Sequence, residues 1–134
     1  MKKILIIFLI LPLILCCAFK KEQKPYAVIS SNPITKASMQ KIEHTFMEKR
    51  RIYYAVVAPD GFKYSGIRMQ LSKQDDKTSN WGFSIVQTED IYVVKGDSEF
   101  GGYVLPPAKG HYILQFFYAN NKRYPFIHRE FMVR

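Results

Sequence analysis

The sequence predicts an all-β domain, built as a small antiparallel β-sandwich of about seven strands. Three observations carry this prediction. Short segments alternate between apolar and polar side chains, and β-branched and aromatic residues dominate them. Turn-forming Pro, Gly, Asn and Asp residues separate these segments. Of the 20 aromatic residues, 17 lie from Phe46 onward, so the core is expected in this later part of the chain.

The chain is expected to have three parts: a signal peptide at 1–17, a flexible tether at 18–35 and the sandwich domain at 36–134. The tether contains several lysines, Pro25 and a Ser-Ser-Asn-Pro turn without hydrophobic periodicity. Residues 36–50 are ambiguous. A strand at about 40–47 is favoured because the later segments are β, and a short helix is the alternative.

The remaining strands follow in order. Residues 52–58 and 66–72 predict a hairpin around the turn-forming Pro59-Asp60-Gly61. Residues 81–87 alternate, which places Trp81, Phe83 and Ile85 inward. Glu89-Asp90 are expected to end that strand. Further strands are expected at 91–95, 103–105, 112–118 and 124–134.

The segment before the strand at 112–118 resembles a known structural motif. Leu105 is followed by a Pro/Gly-rich corner, and Tyr112 opens a strongly apolar strand. This pattern resembles the tyrosine corner of immunoglobulin-like sandwiches. The chain departs from antibody domains because it lacks their cysteine pair and carries Trp81 on a different strand. The resemblance implies a fold and no particular activity, since many unrelated functions share it.

Two predicted strands, 52–58 and 112–118, are apolar on both faces. A strand in a two-layer sandwich normally turns one face to solvent. Either another part of the chain, such as 36–50, covers the second face, or a partner protein does.

The first residues have the three parts of an export signal. Lys2 and Lys3 precede an apolar run from Ile4 to Leu15, and the small residues Cys16, Cys17 and Ala18 follow. Even a generous helix over this run spans about 24 Å, which is shorter than a hydrocarbon core of about 30 Å. A cleaved signal is therefore favoured over an uncleaved anchor.

This segment resembles the signal of bacterial lipoproteins, in which a cysteine behind small residues receives the lipid. The resemblance implies acylation by chains such as palmitate at Cys17, or alternatively at Cys16. An ordinary signal cut after Ala18 is a further alternative. Phe19–Arg134 contains no cysteine, so the chain has no disulfide framework there, and both cysteines lie where a lipid would attach.

The net charge of +9 points to anionic partners. Removal of Lys2 and Lys3 with the signal leaves 18 basic against 11 acidic residues, or +7. Membrane lipid, an acidic envelope glycan or an acidic envelope protein fit an exported basic chain, whereas nucleic acid does not. An immunoglobulin-like topology places one group of basic residues at one end of the sandwich as a candidate partner-binding surface: Lys49, Arg50, Arg51, Lys109 and Arg134. The opposite end would carry Lys63, Lys122 and Arg123.

Motifs for chemistry are absent from the sequence. It has no glycine-rich phosphate loop, no nucleophile elbow and no zinc spacing. His44, His111 and His128 are far apart, and no metal, cofactor or catalytic site is expected. The expected function is therefore a non-enzymatic, membrane-anchored lipoprotein that binds a partner in the cell envelope. The alternative is a secreted or anchored enzyme or enzyme inhibitor.

Overall fold

The computed structural model describes residues 21–75 and 82–134, which form eight β-strands and one short 3-10 helix. The predictions for Cys16, Cys17 and Trp81 lie outside the described residues. In chain order the elements are β1 Tyr26–Ser30, the 3-10 helix Ser38–Gln40, β2 Thr45–Phe46, β3 Ile52–Val57, β4 Gly66–Gln74, β5 Phe83–Tyr92, β6 Glu99–Val104, β7 Gly110–Tyr118 and β8 Ile127–Val133.

The strands form two sheets, with the orders β1-β3-β6 and β2-β8-β7-β4-β5. The short pair β2–β8 is parallel, and every other pairing is antiparallel. The inward side chains of both sheets meet in one core. The predicted fold class, a small all-β sandwich, is confirmed.

The sandwich has two distinct ends. We call one the amino end, because β1 begins there with Tyr26 opposite Val57 of β3. The other is the corner end, where β1 finishes with Ser30 opposite Tyr53 and where β7 begins with Gly110. The strand register therefore separates the point where the chain joins the domain from the loops that precede β3 and β7.

Large rings fill the space between the sheets. Tyr54 of β3 packs edge-on against Phe116 of β7, with ring centroids 5.2 Å apart. Tyr112 stacks on Phe131 of β8 at 5.6 Å, and Phe46 meets Phe131 edge-on at 5.5 Å. Burial of each such side chain stabilises the fold by about 1.5–3 kcal/mol, and aromatic pairs add about 0.5–1.5 kcal/mol. These rings therefore contribute to the stability of the domain, together with buried aliphatic side chains such as Ile29, Met69 and Leu114.

The corner before β7 has the hydrogen bond of a tyrosine corner. The Tyr112 hydroxyl donates to the carbonyl oxygen of Ala108 at 2.6 Å. The backbone N–H of Ala108 lies 3.3 Å from the same hydroxyl. Burial raises the pKa of Tyr112. The ring stays in the core while its hydroxyl holds the connection between β6 and β7.

The tether prediction is wrong for part of its length. Tyr26–Ser30 lies within the predicted tether but forms β1 and pairs with β3 along its whole length. Ala27 and Ile29 point inward and are buried, which holds the strand in the sheet. Flanking lysine, proline and serine residues obscured this short alternation in the sequence. In residues 36–50, the favoured strand is present only as the two-residue β2. The alternative helix is present only as the short 3-10 helix.

A β-bulge overturns the predicted orientation of Phe83 and Ile85. Leu71 pairs with Gln87 but the next residue of β4, Ser72, pairs with Ile85, so the ladder skips one residue of β5. Because side chains alternate, one extra residue turns the preceding part of β5 to the opposite face. Ile85 is accordingly 61% exposed instead of buried.

The predicted strand break at Glu89-Asp90 is also wrong, because β5 continues through both residues to Tyr92. As an edge strand, β5 can keep charged side chains at its open border. Asp90 accepts two hydrogen bonds from the Arg68 guanidinium, at 2.8 and 3.1 Å.

The chain itself covers part of the second face of the two strands that are apolar on both faces. The connection between β1 and β2, with the half-buried Ile34 and Met39, lies beside Tyr53 of β3. On the outer face of β7, Phe117 is 6% exposed, and its cross-strand neighbour is Arg68. The long Arg68 side chain can shield this ring while its charged end reaches Asp90.

Tyr112→Phe should lower the free energy of unfolding by about 1 kcal/mol, since it removes one hydrogen bond and leaves the core ring in place. Urea unfolding measures this change. Tyr92→Phe is the control, because Tyr92 is 78% exposed and contributes little to the core. Equal stability of the two variants would show that the Ala108 bond does not support the corner.

Candidate functional site

The five basic residues that the sequence grouped together all lie on loops or strand ends at the corner end. Residues 47–51 connect β2 to β3, and Lys109 precedes β7. The backbone brings these segments together, since the Glu48 N–H donates to the Arg134 carbonyl oxygen at 2.9 Å. We call this group the basic end, and its members are Lys49, Arg50, Arg51, Lys109 and Arg134.

The members of the basic end differ in their local contacts. Lys109 Nζ lies 3.8 Å from a carboxylate oxygen of Glu48, at the limit of an ion pair. The Arg51 guanidinium lies 4.5 Å from the centre of the Tyr103 ring, a cation–π contact. Within residues 21–75 and 82–134, no carboxylate lies within ion-pair distance of Lys49, Arg50 or Arg134. These three cations remain available to an external anion.

The amino end carries a different set of charges. Lys63 Nζ lies 3.2 Å from the Glu22 carboxylate, and this hydrogen bond raises the pKa of Lys63. The backbone N–H of Gln23 donates to Asp60 at 2.8 Å. These contacts hold residues 22–23 beside the turn after β3. Lys122 and Arg123, in the connection between β7 and β8, lie at this end as the sequence predicted.

Strand β6 lies between two recesses. The first, about 680 Å³ in volume, lies between β6 and the connection from β1 to β2. The second, about 280 Å³, opens between β6 and the edge strand β5. Both recesses share Tyr54 and residues 101–103, so they flank the same strand. Sequence reasoning missed this feature, although the Gly101-Gly102 pair was visible.

Gly102 makes room for the hydroxyl of Tyr54. A Cβ atom on Gly102 would lie 2.5 Å from that oxygen, so a larger residue would force the tyrosine to move. Burial, together with the nearby Glu89 carboxylate, raises the pKa of Tyr54 to about 12. Its hydroxyl therefore keeps its proton at physiological pH and remains a hydrogen-bond donor.

Two of the three histidines meet on the outer face of the five-stranded sheet. Nε2 of His111 lies 3.2 Å from one Glu130 oxygen, and Nε2 of His128 lies 3.0 Å from the other. Gln74 Oε1 contacts the other ring nitrogen of His111 at 3.2 Å. Hydrogen bonding from His128, with the charge of both imidazoles, lowers the pKa of Glu130. Sequence separation hid this cluster, although the two-residue spacing of His128 and Glu130 places both on one strand face.

The described residues contain no group of three or more His, Cys, Asp or Glu side chains arranged to hold a metal ion. In the same part of the chain, no helix has the length and apolar character required to cross a membrane.

Comparisons with known proteins give little beyond this geometry. No protein-family model matches the sequence. No curated protein matches it either. Among solved structures, the chain is similar to a β-glucosidase from Kluyveromyces marxianus in complex with glucose, with 14% identity and a TM-score of 0.41. That match covers 83% of this chain but only 14% of the β-glucosidase chain, and it assigns no activity here.

Glu130→Gln should remove about 0.2–1 kcal/mol from the free energy of unfolding at neutral pH, as expected for the loss of an exposed carboxylate that contacts two imidazoles. The lowered pKa means that the folded state favours the carboxylate, so this contribution is present above the unfolded value of about 4.3. It is lost as the pH falls through the lower folded value. Urea unfolding of both proteins between neutral and acidic pH measures the difference.

Glu99→Gln is the matched control, because the described residues place no cation within ion-pair distance of Glu99. A stability difference for Glu130→Gln that stays constant down to acidic pH would contradict a charge-dependent contact.

Proposed function

We propose that this chain is a non-enzymatic bacterial lipoprotein whose sandwich domain binds an acidic component of the cell envelope. A lipid on Cys17, or alternatively on Cys16, would anchor the chain to a membrane. The basic end would contact a glycan or protein that carries negative charge.

The observation that carries this proposal is the opposed placement of the two ends. The chain joins the domain at the amino end, where Tyr26 starts β1. The basic end lies beyond the opposite ends of the strands, where β3 and β7 begin. A domain tethered through its amino end can therefore direct Lys49, Arg50 and Arg134 away from the membrane.

The cysteine distribution supports the anchoring step. Both cysteines follow directly on the apolar run, and the remaining 117 residues of the chain contain none. Neither cysteine is therefore available for a disulfide with the domain. One acyl chain anchors a protein only marginally, and nearby basic residues add about 1 kcal/mol each on an anionic surface. Lys20, Lys21 and Lys24 lie close enough in the sequence to contribute.

The charge pattern sets the expected strength of binding. Each exposed charge pair contributes about 0.2–1 kcal/mol, so several cations must act together. Such contacts raise the association rate and weaken as salt screens them. Among the described residues, three cations at this end lack an ion-pair partner. A partner with repeated negative charges, such as an acidic glycan, fits them better than a single carboxylate does.

Reversal of charge at the basic end should weaken binding to isolated envelope material. Lys49→Glu combined with Arg50→Glu should reduce the bound fraction about tenfold, because two attractions become repulsions. Binding of the wild-type protein should also fall between about 50 and 500 mM salt. Co-sedimentation with envelope fragments measures both effects.

The matched control is Lys122→Glu with Arg123→Glu, which makes the same change in net charge at the amino end. Envelope binding that is insensitive to salt, or that both double variants weaken equally, would contradict a specific role for the basic end.

A further inference from the structure

Strand β6 forms an open edge of the three-stranded sheet. Within the described residues it pairs with β3 alone, through six consecutive residue pairs from Glu99–Val57 to Val104–Ile52. Natural proteins usually block such an edge with lysine, proline, a bulge or inward-pointing charges. Strand β6 has none of these, since its register is unbroken and its one charged residue, Glu99, stands at its first position.

The other edge strand on this side of the sandwich is protected. Strand β5 carries the bulge described above, and it has charged residues at Glu89 and Asp90. The neighbouring edge strand β5 thus has the protective features that β6 lacks. An added strand could therefore pair with β6 more readily than with β5.

The two recesses lie where an added strand would place its side chains. Residues of an extended chain point alternately to opposite faces, so a strand beside β6 would direct every second side chain to each side. The outer recess is mainly apolar, with Ile34, Met39 and Tyr53 in its lining. The recess toward β5 is polar and offers the Glu89 carboxylate and Gln87.

Charges along β6 favour one direction for such a strand. Arg51 lies over Tyr103 near the corner end, and Lys36 lines the outer recess. Glu99 stands at the other end of β6. A partner that is acidic beside Tyr103 and basic beside Glu99 would complement both ends. In an antiparallel pairing, the stronger form per residue, the acidic residue comes first in the partner.

We propose that β6 is a docking site for an extended segment of a partner protein, which adds to the sheet as an antiparallel strand. Main-chain hydrogen bonds to β6 supply affinity, and the two recesses select apolar and polar side chains in alternation. An acidic residue at the start of the segment meets Arg51. This site shares Arg51 with the basic end, but its other residues lie along β6, and it does not depend on lipid anchoring.

The probe is an acetylated and amidated peptide of seven residues, in which valine alternates with polar residues. Its amino-terminal end is acidic and its carboxyl-terminal end is basic. The full-length chain, purified in detergent, is titrated with this peptide, and isothermal titration calorimetry measures the dissociation constant. Amide hydrogen exchange locates the contact. We expect slower exchange over residues 99–104 and no change in β5.

Two modified peptides separate strand addition from other contacts. N-methylation of alternate residues on the edge that faces β6 removes hydrogen-bond donors and keeps the side chains, and it should weaken binding about tenfold or more. A peptide with its acidic residue replaced by lysine should bind about three- to tenfold more weakly to the wild type. Arg51→Glu should reverse this preference, because it replaces the cation beside Tyr103 with an anion.

The result that overturns the proposal is equal binding of the N-methylated and unmodified peptides. Protection of β5 instead of β6, or absence of binding at millimolar peptide, would overturn it equally. Sedimentation of the protein alone tests a second copy as the occupant. A dimer with protected residues 99–104 would contradict the choice of a partner protein. The Lys49 and Arg50 variants leave β6 unchanged, so failure here is distinct from failure of the envelope proposal.

Discussion

Packing of aromatic rings between the two sheets is the interaction on which the rest of the structure depends. The domain lacks a disulfide, so burial of rings such as Tyr54, Tyr112 and Phe116 must supply much of its stability. Tyr112 connects the core to the loop before β7. Its ring stacks on Phe131, and its hydroxyl donates a hydrogen bond to the carbonyl oxygen of Ala108. The same packing fixes which loops meet at the corner end and where β6 becomes exposed.

Much of the fold could be predicted because turn chemistry and alternation are local signals. Pro59-Asp60-Gly61 ends β3 through backbone preferences that neighbouring strands do not alter, and Gly61 adopts a φ of 80°. The predicted hairpin of 52–58 with 66–72 is wrong, however, because β3 and β4 lie in different sheets. The corner before Tyr112 carried its own pattern in the same way. The β1 strand was missed because five residues with polar flanks give a weak signal. The bulge in β5 could not be predicted, since an extra residue is recognised only against its partner strand.

The candidate functional surfaces could likewise be predicted only in part from the sequence. Topology was enough to bring Lys49, Arg50 and Lys109 to one end, because the sheet order determines which loops are neighbours. The meeting of His111 with Glu130 depends on the register of β7 against β8, which periodicity within one strand does not give. The open edge of β6 depends on the absence of a further strand among the described residues, which is a property of the assembled sheet.

The proposed function combines two requirements that different parts of the chain meet. The first residues would supply a membrane anchor, and the sandwich would hold a basic surface at the end away from that anchor. Mass spectrometry of the mature amino terminus tests the central claim most directly. The account predicts a chain that begins at Cys17, or at Cys16, and carries a diacylglyceryl group. A mature chain that begins at Phe19, or one that retains Met1, would contradict it.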